Sequence, residues 1–219
     1  QRERFRITAQ EHFNGFRSYD YDPERLALLL RAVDRLTADG VQVIGFFSPV
    51  HAWQEEGIFA AGKGADYLAF RRAAVAGMNA FAARPVRAPC TARSGVVDMW
   101  DFSGFRIIAQ SAVPAADAVE PAPYYRETSH FDWKVGRAML QLMLGTPVEF
   151  EIQGDRLGER IAPENVDAAE LALLERRTQW LTTEDAHAVA RLFGEWRLRD
   201  KLNPLTPRLA VEREDYDGL

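Results

Sequence analysis

Asp39-Gly40-Val41-Gln42-Val43-Ile44-Gly45-Phe46-Phe47-Ser48-Pro49 decides how this chain folds. Val41–Phe47 is short, β-branched and aromatic, and almost wholly apolar. That pattern predicts a strand buried on both faces. Pro49 has no amide hydrogen to give to a ladder, so the strand stops at Ser48-Pro49. Just upstream, Asp22-Pro23 opens a helix: Asp22 can cap it and Pro23 suits its first position. Leu26, Leu29, Leu30, Val33 and Leu36 follow the three-four spacing of one buried face. Gly40 can take the left-handed conformation that ends a helix. Helix, glycine and buried strand together make the αβ step of an open parallel sheet.

Further along, a helix is predicted over Ala65–Ala83, with Tyr67, Leu68, Phe70, Val75, Met78 and Phe81 as core positions. A Pro- and Arg-rich loop covers Arg84–Gly95. Val96–Trp100 reads as a second strand, closing on Asp101-Phe102-Ser103-Gly104. A long loop runs from there to Pro123, a length that suggests a surface or site-covering segment. A third helix spans Trp133–Leu144 on Val135, Met139, Leu142 and Met143, and Gly145-Thr146-Pro147 stops it. Val148–Ile152 alternates apolar and polar residues, as an edge strand does. Two more helices follow, Pro163–Trp180 and Thr183–Leu198, the second with a cap in Thr182-Thr183-Glu184-Asp185. The aromatic, polar start of the chain reads as an irregular arm or a short helix. The expected layout is an N-terminal arm at 1–22, an α/β core at 23–147, an edge strand and helical extension at 148–202, and a tail at 203–219.

Composition narrows the class. The chain has 219 residues, 47% hydrophobic and 27% charged, as a soluble globular protein has. Lys plus Arg is 27 and Asp plus Glu 32, a net charge of −5, which argues against a broad nucleic-acid surface. No apolar run approaches the roughly 20 residues that a spanning helix needs. The start at Gln1 rather than Met suggests a fragment or processed product. A periplasmic or membrane-anchored parent, tethered through a segment upstream, is expected over a cytoplasmic one. Cys90 is the single cysteine, so no internal disulfide can form, and it reads as an inert thiol. The four histidines show no zinc-like pairing, and neither a metal nor a cofactor is expected. Gly62-Lys63-Gly64 lacks the full phosphate-loop pattern and reads as a hinge.

Chemistry concentrates in Tyr124-Tyr125-Arg126-Glu127-Thr128-Ser129-His130-Phe131. A carboxylate three residues before a histidine, in a loop entering a helix, can fold back on the ring. It can accept the Nδ1 hydrogen, fix the tautomer and leave the other nitrogen as a general base. The alternative is an ordinary surface loop. Ser48 and His51 sit just past a strand's carboxyl end, where open α/β sheets bind ligands; both could equally be structural. Asp101 either orients a group in that crevice or caps the next turn. Tyr124, Tyr125, Phe131 and Trp133 either line a sugar site or pin the loop to the core.

The order of these blocks resembles the later half of the SGNH hydrolase family. Its carriers are a strand leading to Pro49-Val50-His51, the strand end Asp101-Phe102-Ser103-Gly104, and Tyr124-Tyr125 followed by Ser129-His130-Phe131 and Gly136. The resemblance covers about residues 23–145 and extends to alginate O-acetyltransferase-like proteins of bacterial envelopes. It implies a three-layer αβα fold with a short parallel sheet, lacking its first strands, plus C-terminal helices. It also implies that His130 is the catalytic base and that Glu127 stands in the place of the triad Asp. Three departures are visible: Glu for Asp, a glycine one residue late, and no Gly-Asp-Ser-like nucleophile block. The function expected is the C-terminal part of a serine esterase or O-acyltransferase. Its substrate would be a small-molecule or carbohydrate ester, contacted by His51, Ser48 and Tyr125, and its nucleophilic Ser would not be in this chain. The alternatives are a non-catalytic binding or assembly module of the cell envelope, and an unrelated α/β domain.

Overall fold

The computed structural model describes residues 1–82, 97–115, 117–149 and 156–202. Among them the chain is α/β, with seven helices and a small three-stranded mixed sheet. The helices are α1 (Arg2–Arg17), α2 (Pro23–Ala38), α3 (Ala52–Ala60), α4 (Gly64–Ala82), α5 (Trp133–Met143), α6 (Val166–Trp180) and α7 (Glu184–Leu202). The strands are β1 (Val43–Phe47), β2 (Val97–Asp101) and β3 (Glu159–Arg160), in that order across the sheet. None of the described helices is long and apolar enough to cross a membrane.

The αβ step forms from the residues that predict it. The Asp22 carboxylate accepts the Glu24 and Arg25 amides and so caps α2. At the other end Gly40 turns left-handed, with φ 80°. Val41 N then donates to Leu36 O at 2.9 Å, and Gly40 N to Thr37 O at 3.0 Å. These paired bonds close the last turn as a Schellman motif. β1 and β2 run parallel, with Phe47 opposite Asp101. β3 pairs antiparallel with β2, so the sheet is mixed and not the all-parallel sheet expected.

Helices cover both faces. On one, Leu26 of α2 and Ala74 and Val75 of α4 pack with Phe47, Ile161 and Val166, while Val33, Met78 and Phe81 meet Val43 and Met99. On the other, Val135, Ala138 and Met139 of α5 pack on Trp100, Phe102, Ile108 and Ile44. β1 is not buried on both faces. It is an edge strand with β2 as its one strand partner among the described residues, and Phe46 keeps 44% of its surface. Leu29 and Leu36, expected in the core, lie outward on α2.

The chain's two ends build a further cluster. The opening residues are neither irregular nor short as a helix: α1 runs 16 residues and buries Phe5, Ala9 and Phe13 at four-residue spacing. These pack with Trp53 of α3, Phe105, Trp180 of α6, and Val189, Phe193 and Trp196 of α7. Phe13 stacks on Phe193 with centroids 4.7 Å apart. Thr183 Oγ1 accepts the Ala186 amide at the start of α7. α3 was not expected; it is buried on every side, Gln54, Glu55 and Glu56 included. Val148 and Glu149 form no strand, and the rest of that expected edge strand, 150–152, lies outside the described residues. The 84–95 loop, Cys90 and the 203–219 tail also lie outside them.

Candidate functional site

The Glu127–His130 stretch is the tip of a narrow loop. Tyr125 and Phe131 form an antiparallel bridge at its base. Arg126 N donates to His130 O at 2.9 Å, and Asp132 N to Tyr124 O at 2.7 Å. Asp132 then caps α5 through the Lys134 amide. One turn on, a Cβ at Gly136 would stand 3.1 Å from the Phe131 ring, close enough that the ring would have to give by a few tenths of an ångström.

Three contacts fix where this loop sits. His51 N, just past β1, donates to Thr128 O at 2.9 Å. The tip is thereby tied to the segment leaving the carboxyl end of the parallel pair. The Gln1 side chain holds the ascending limb: its amide nitrogen donates to Tyr125 O and Arg126 O, and its oxygen accepts Ala122 N. From α1, Thr8 Oγ1 accepts the Thr128 hydroxyl at 3.0 Å and its amide at 3.4 Å.

Within the tip, His130 Nδ1 pairs with Glu127 Oε1. Ser129 braces the pair: its amide donates to Glu127 Oε2 at 2.9 Å, and its hydroxyl to Oε1 at 2.8 Å. That hydroxyl also lies 3.1 Å from His130 Nδ1. Burial alone would raise the Glu127 carboxyl. The Ser129 amide and hydroxyl, the His130 ring and the Thr8 hydroxyl outweigh it and bring it down to about 2. The acid is therefore ionised across the neutral range and acts as an acceptor. Its side chain is 8% exposed, while that of His130 is 78% exposed. An ionised acid at the root and an exposed imidazole at the tip make a base whose Nε2 faces outward.

The other expected contacts fall elsewhere. His51 is not a substrate contact: it is fully buried, and both ring nitrogens serve the backbone. Nδ1 accepts the Trp53 amide as the cap of α3, and Nε2 donates to Ser111 O at 2.8 Å. Burial lowers its pKa to about 4 against the lift from the Ser111 carbonyl. Tyr125 is not at the surface either; its ring packs edge-on against His51, 1% exposed. Ser48 is exposed at the end of β1, and no hydrogen bond joins it to the dyad among the described residues. Of the aromatic residues around the loop, Trp133 is the outward one, 60% exposed.

A second acid–base group lies inside the same rim. Arg71 pairs with Asp101 at 2.7 Å, both side chains fully buried, and donates to Ser103 Oγ at 2.7 Å. Asp101 also accepts the Ser103 amide and hydroxyl, so it caps the turn as well. Glu55 of α3 accepts the Gly104 and Phe105 amides and the Tyr67 hydroxyl. Those two amides converge because Gly104 and Phe105 both turn left-handed, at φ 93° and 53°. Burial pushes the Glu55 carboxyl up.

Thr8 and Ser129 are contacts of this loop that the sequence did not single out. Ser129 was within reach, two residues from Glu127. Thr8 lies 120 residues from Thr128, and no local pattern links them. No family model matches the chain, and no curated protein or solved structure is significantly similar to it.

Proposed function

We propose that this chain supplies the acid–base part of an SGNH-like esterase or O-acyltransferase site, acting on an ester of a small molecule or an acylated carbohydrate. His130 is the general base and Glu127 orients it. Nε2 draws the proton from an attacking hydroxyl as its oxygen bonds to the ester carbonyl carbon. The imidazolium, steadied by ionised Glu127, then returns that proton to the alkoxy oxygen as the C–O bond breaks. The attacking serine is not one of this chain. Ser129, the hydroxyl nearest the ring, sits on the Nδ1 side with Glu127 and braces the acid instead. Ser48 is the substrate contact kept from the sequence reading, on its exposed place at the end of β1.

The observation that carries this reading is the asymmetry of the pair: a buried, ionised acid holding the inner nitrogen of an exposed ring. Its anchoring beside the β1 exit supports it, since open α/β sheets place their chemistry there. The test is p-nitrophenyl acetate cleavage by the longer protein that carries the attacking serine, with the substitutions made in that protein. Replacing His130 by Ala should remove at least about tenfold of the protein-dependent rate, and Glu127→Gln a substantial part of it. Equal rates in wild type and His130→Ala would end the esterase reading and leave a binding or assembly module.

A further inference from the structure

Five tryptophans stand in this chain, and four of them are core. Trp53, Trp180 and Trp196 keep 2% of their surface or less and Trp100 keeps 9%, while Trp133 keeps 60%. The aromatic residues around the dyad loop divide the same way. Tyr124, Tyr125 and Phe131 pack into the apolar clusters and hold the loop down; Trp133 is in neither cluster and carries none of that anchoring. Backbone geometry brings its indole to the dyad. Asp132 N donates to Tyr124 O, and the Asp132 carboxylate caps α5, so Trp133 is fixed as the first helical residue. Two residues turn a helix by about 200°, which sets Trp133 opposite fully buried Val135, on the side toward water. His130 leaves the loop on the water side too, 78% exposed. Three residues of chain span at most about 11 Å, so the exposed imidazole and the exposed indole share one patch of surface.

We infer that Trp133 is the substrate platform of this site, and that the ester it presents to His130 is carried on a sugar. A pyranose ring has the matching chemistry: its C–H groups make one face apolar, and its hydroxyls stand around the edge. The indole offers a flat apolar face for the first and an N–H for the second. With two side-chain torsions to fix, it does so at low entropy cost. A small ester has too few apolar atoms to cover that face. The inference rests on the proposed role of His130 and narrows its substrate to the acylated carbohydrate.

The experiment is 15N spectroscopy of the tryptophan indoles in the whole chain, with Trp133 assigned by its Ala variant. The probes are maltohexaose, cellohexaose, chitohexaose and O-acetylated xylohexaose. At least one should shift the Trp133 signal saturably and leave those of Trp53, Trp180 and Trp196 in place. Saturation transfer from protein to sugar then follows binding in variants that lack the indole. Trp133→Tyr keeps an aromatic face and should keep binding. Trp133→Leu keeps an apolar side chain without the face and should weaken binding at least about fivefold, the loss expected from uncovering about 40 Å² of apolar surface. Circular dichroism checks that both variants fold. No shift with any of the four sugars overturns the inference, as does equal binding by wild type and folded Trp133→Leu. A Trp133 signal that moves with protein concentration alone, and not with sugar, assigns the indole to a second copy and overturns it too. If no sugar binds while His130→Ala in the longer protein loses ester cleavage, the esterase reading stands with a small-molecule ester. If sugar binds at Trp133 while His130→Ala cleaves ester like the wild type, the platform stands and the esterase reading falls.

Discussion

Two acid–base groups sit on one rim and differ in a single respect, access to water. Arg71–Asp101, with Glu55 beside it, is sealed: both partners of the ion pair are fully buried, and the carboxylates are spent on backbone amides, hydroxyls and the guanidinium. Glu127–His130 is sealed at one end only. The first is cut off from water and works as a strut under the β2 exit. The second leaves one nitrogen outward, which chemistry needs. The two histidines repeat the lesson. His51 has its two nitrogens committed to main chain; His130 has one committed and one outward. Finding histidine and carboxylate near a strand's carboxyl end does not separate these cases. Counting the unspent ring nitrogens does.

The largest test of that contrast is Arg71→Ala. It leaves Asp101 charged and unpaired in the core, and the loss should be about 3–5 kcal/mol by urea unfolding. A loss under about 1 kcal/mol would mean that the strut carries no load. Acid comes next. His51 is neutral in the fold with its pKa at about 4, against 6.5 when free. Below 6.5 the unfolded chain binds the proton first, so stability falls as pH drops from about 6.5 to about 4. That difference corresponds to about 3 kcal/mol. His51→Asn, which keeps a capping acceptor, should flatten this limb of a urea-midpoint series.

Glu127 works the opposite way and lower down. Its carboxyl is held at about 2, against 4.5 when free. The stabilisation is therefore complete above about 4.5 and is lost as pH falls toward 2. Screening at the exposed ring limits it to about 1–2 kcal/mol, and Glu127→Gln should abolish that slope. The smallest stability effect belongs to His130, the proposed base. His130→Ala should change unfolding free energy by no more than about 0.5 kcal/mol, since the ring is mostly in water. A cost of several kcal/mol would class His130 with His51.

What the sequence made legible follows from how local each signal is. α2, α4, α5, β1 and β2 are read from caps and periodicity within a few residues, and they lie where expected to within about two positions. α3 escaped because a helix buried on every side has no polar face to set a period. α1 carried a usable signal, Phe5, Ala9 and Phe13 at four-residue steps, beneath many charges. β3, at two residues, is too short to leave a pattern. In the site, Glu127 and His130 were legible because the loop closes on itself. His51 and Tyr125 were misplaced because position along the chain does not reveal depth, and Thr8 meets Thr128 from 120 residues away.

Gly136 carries a mechanical consequence. The Phe131 ring rests where a methyl group at 136 would project, at 3.1 Å. Phe131 follows His130 directly and closes the loop's bridge with Tyr125. The first turn of α5 thus works as a stop against which the whole tip is seated. A side chain at 136 would press on the Phe131 ring, which would have to give by a few tenths of an ångström, while leaving every atom of the acid–base pair unchanged. The seat of the residue beside His130 thus leans on an absence of atoms one helical turn away.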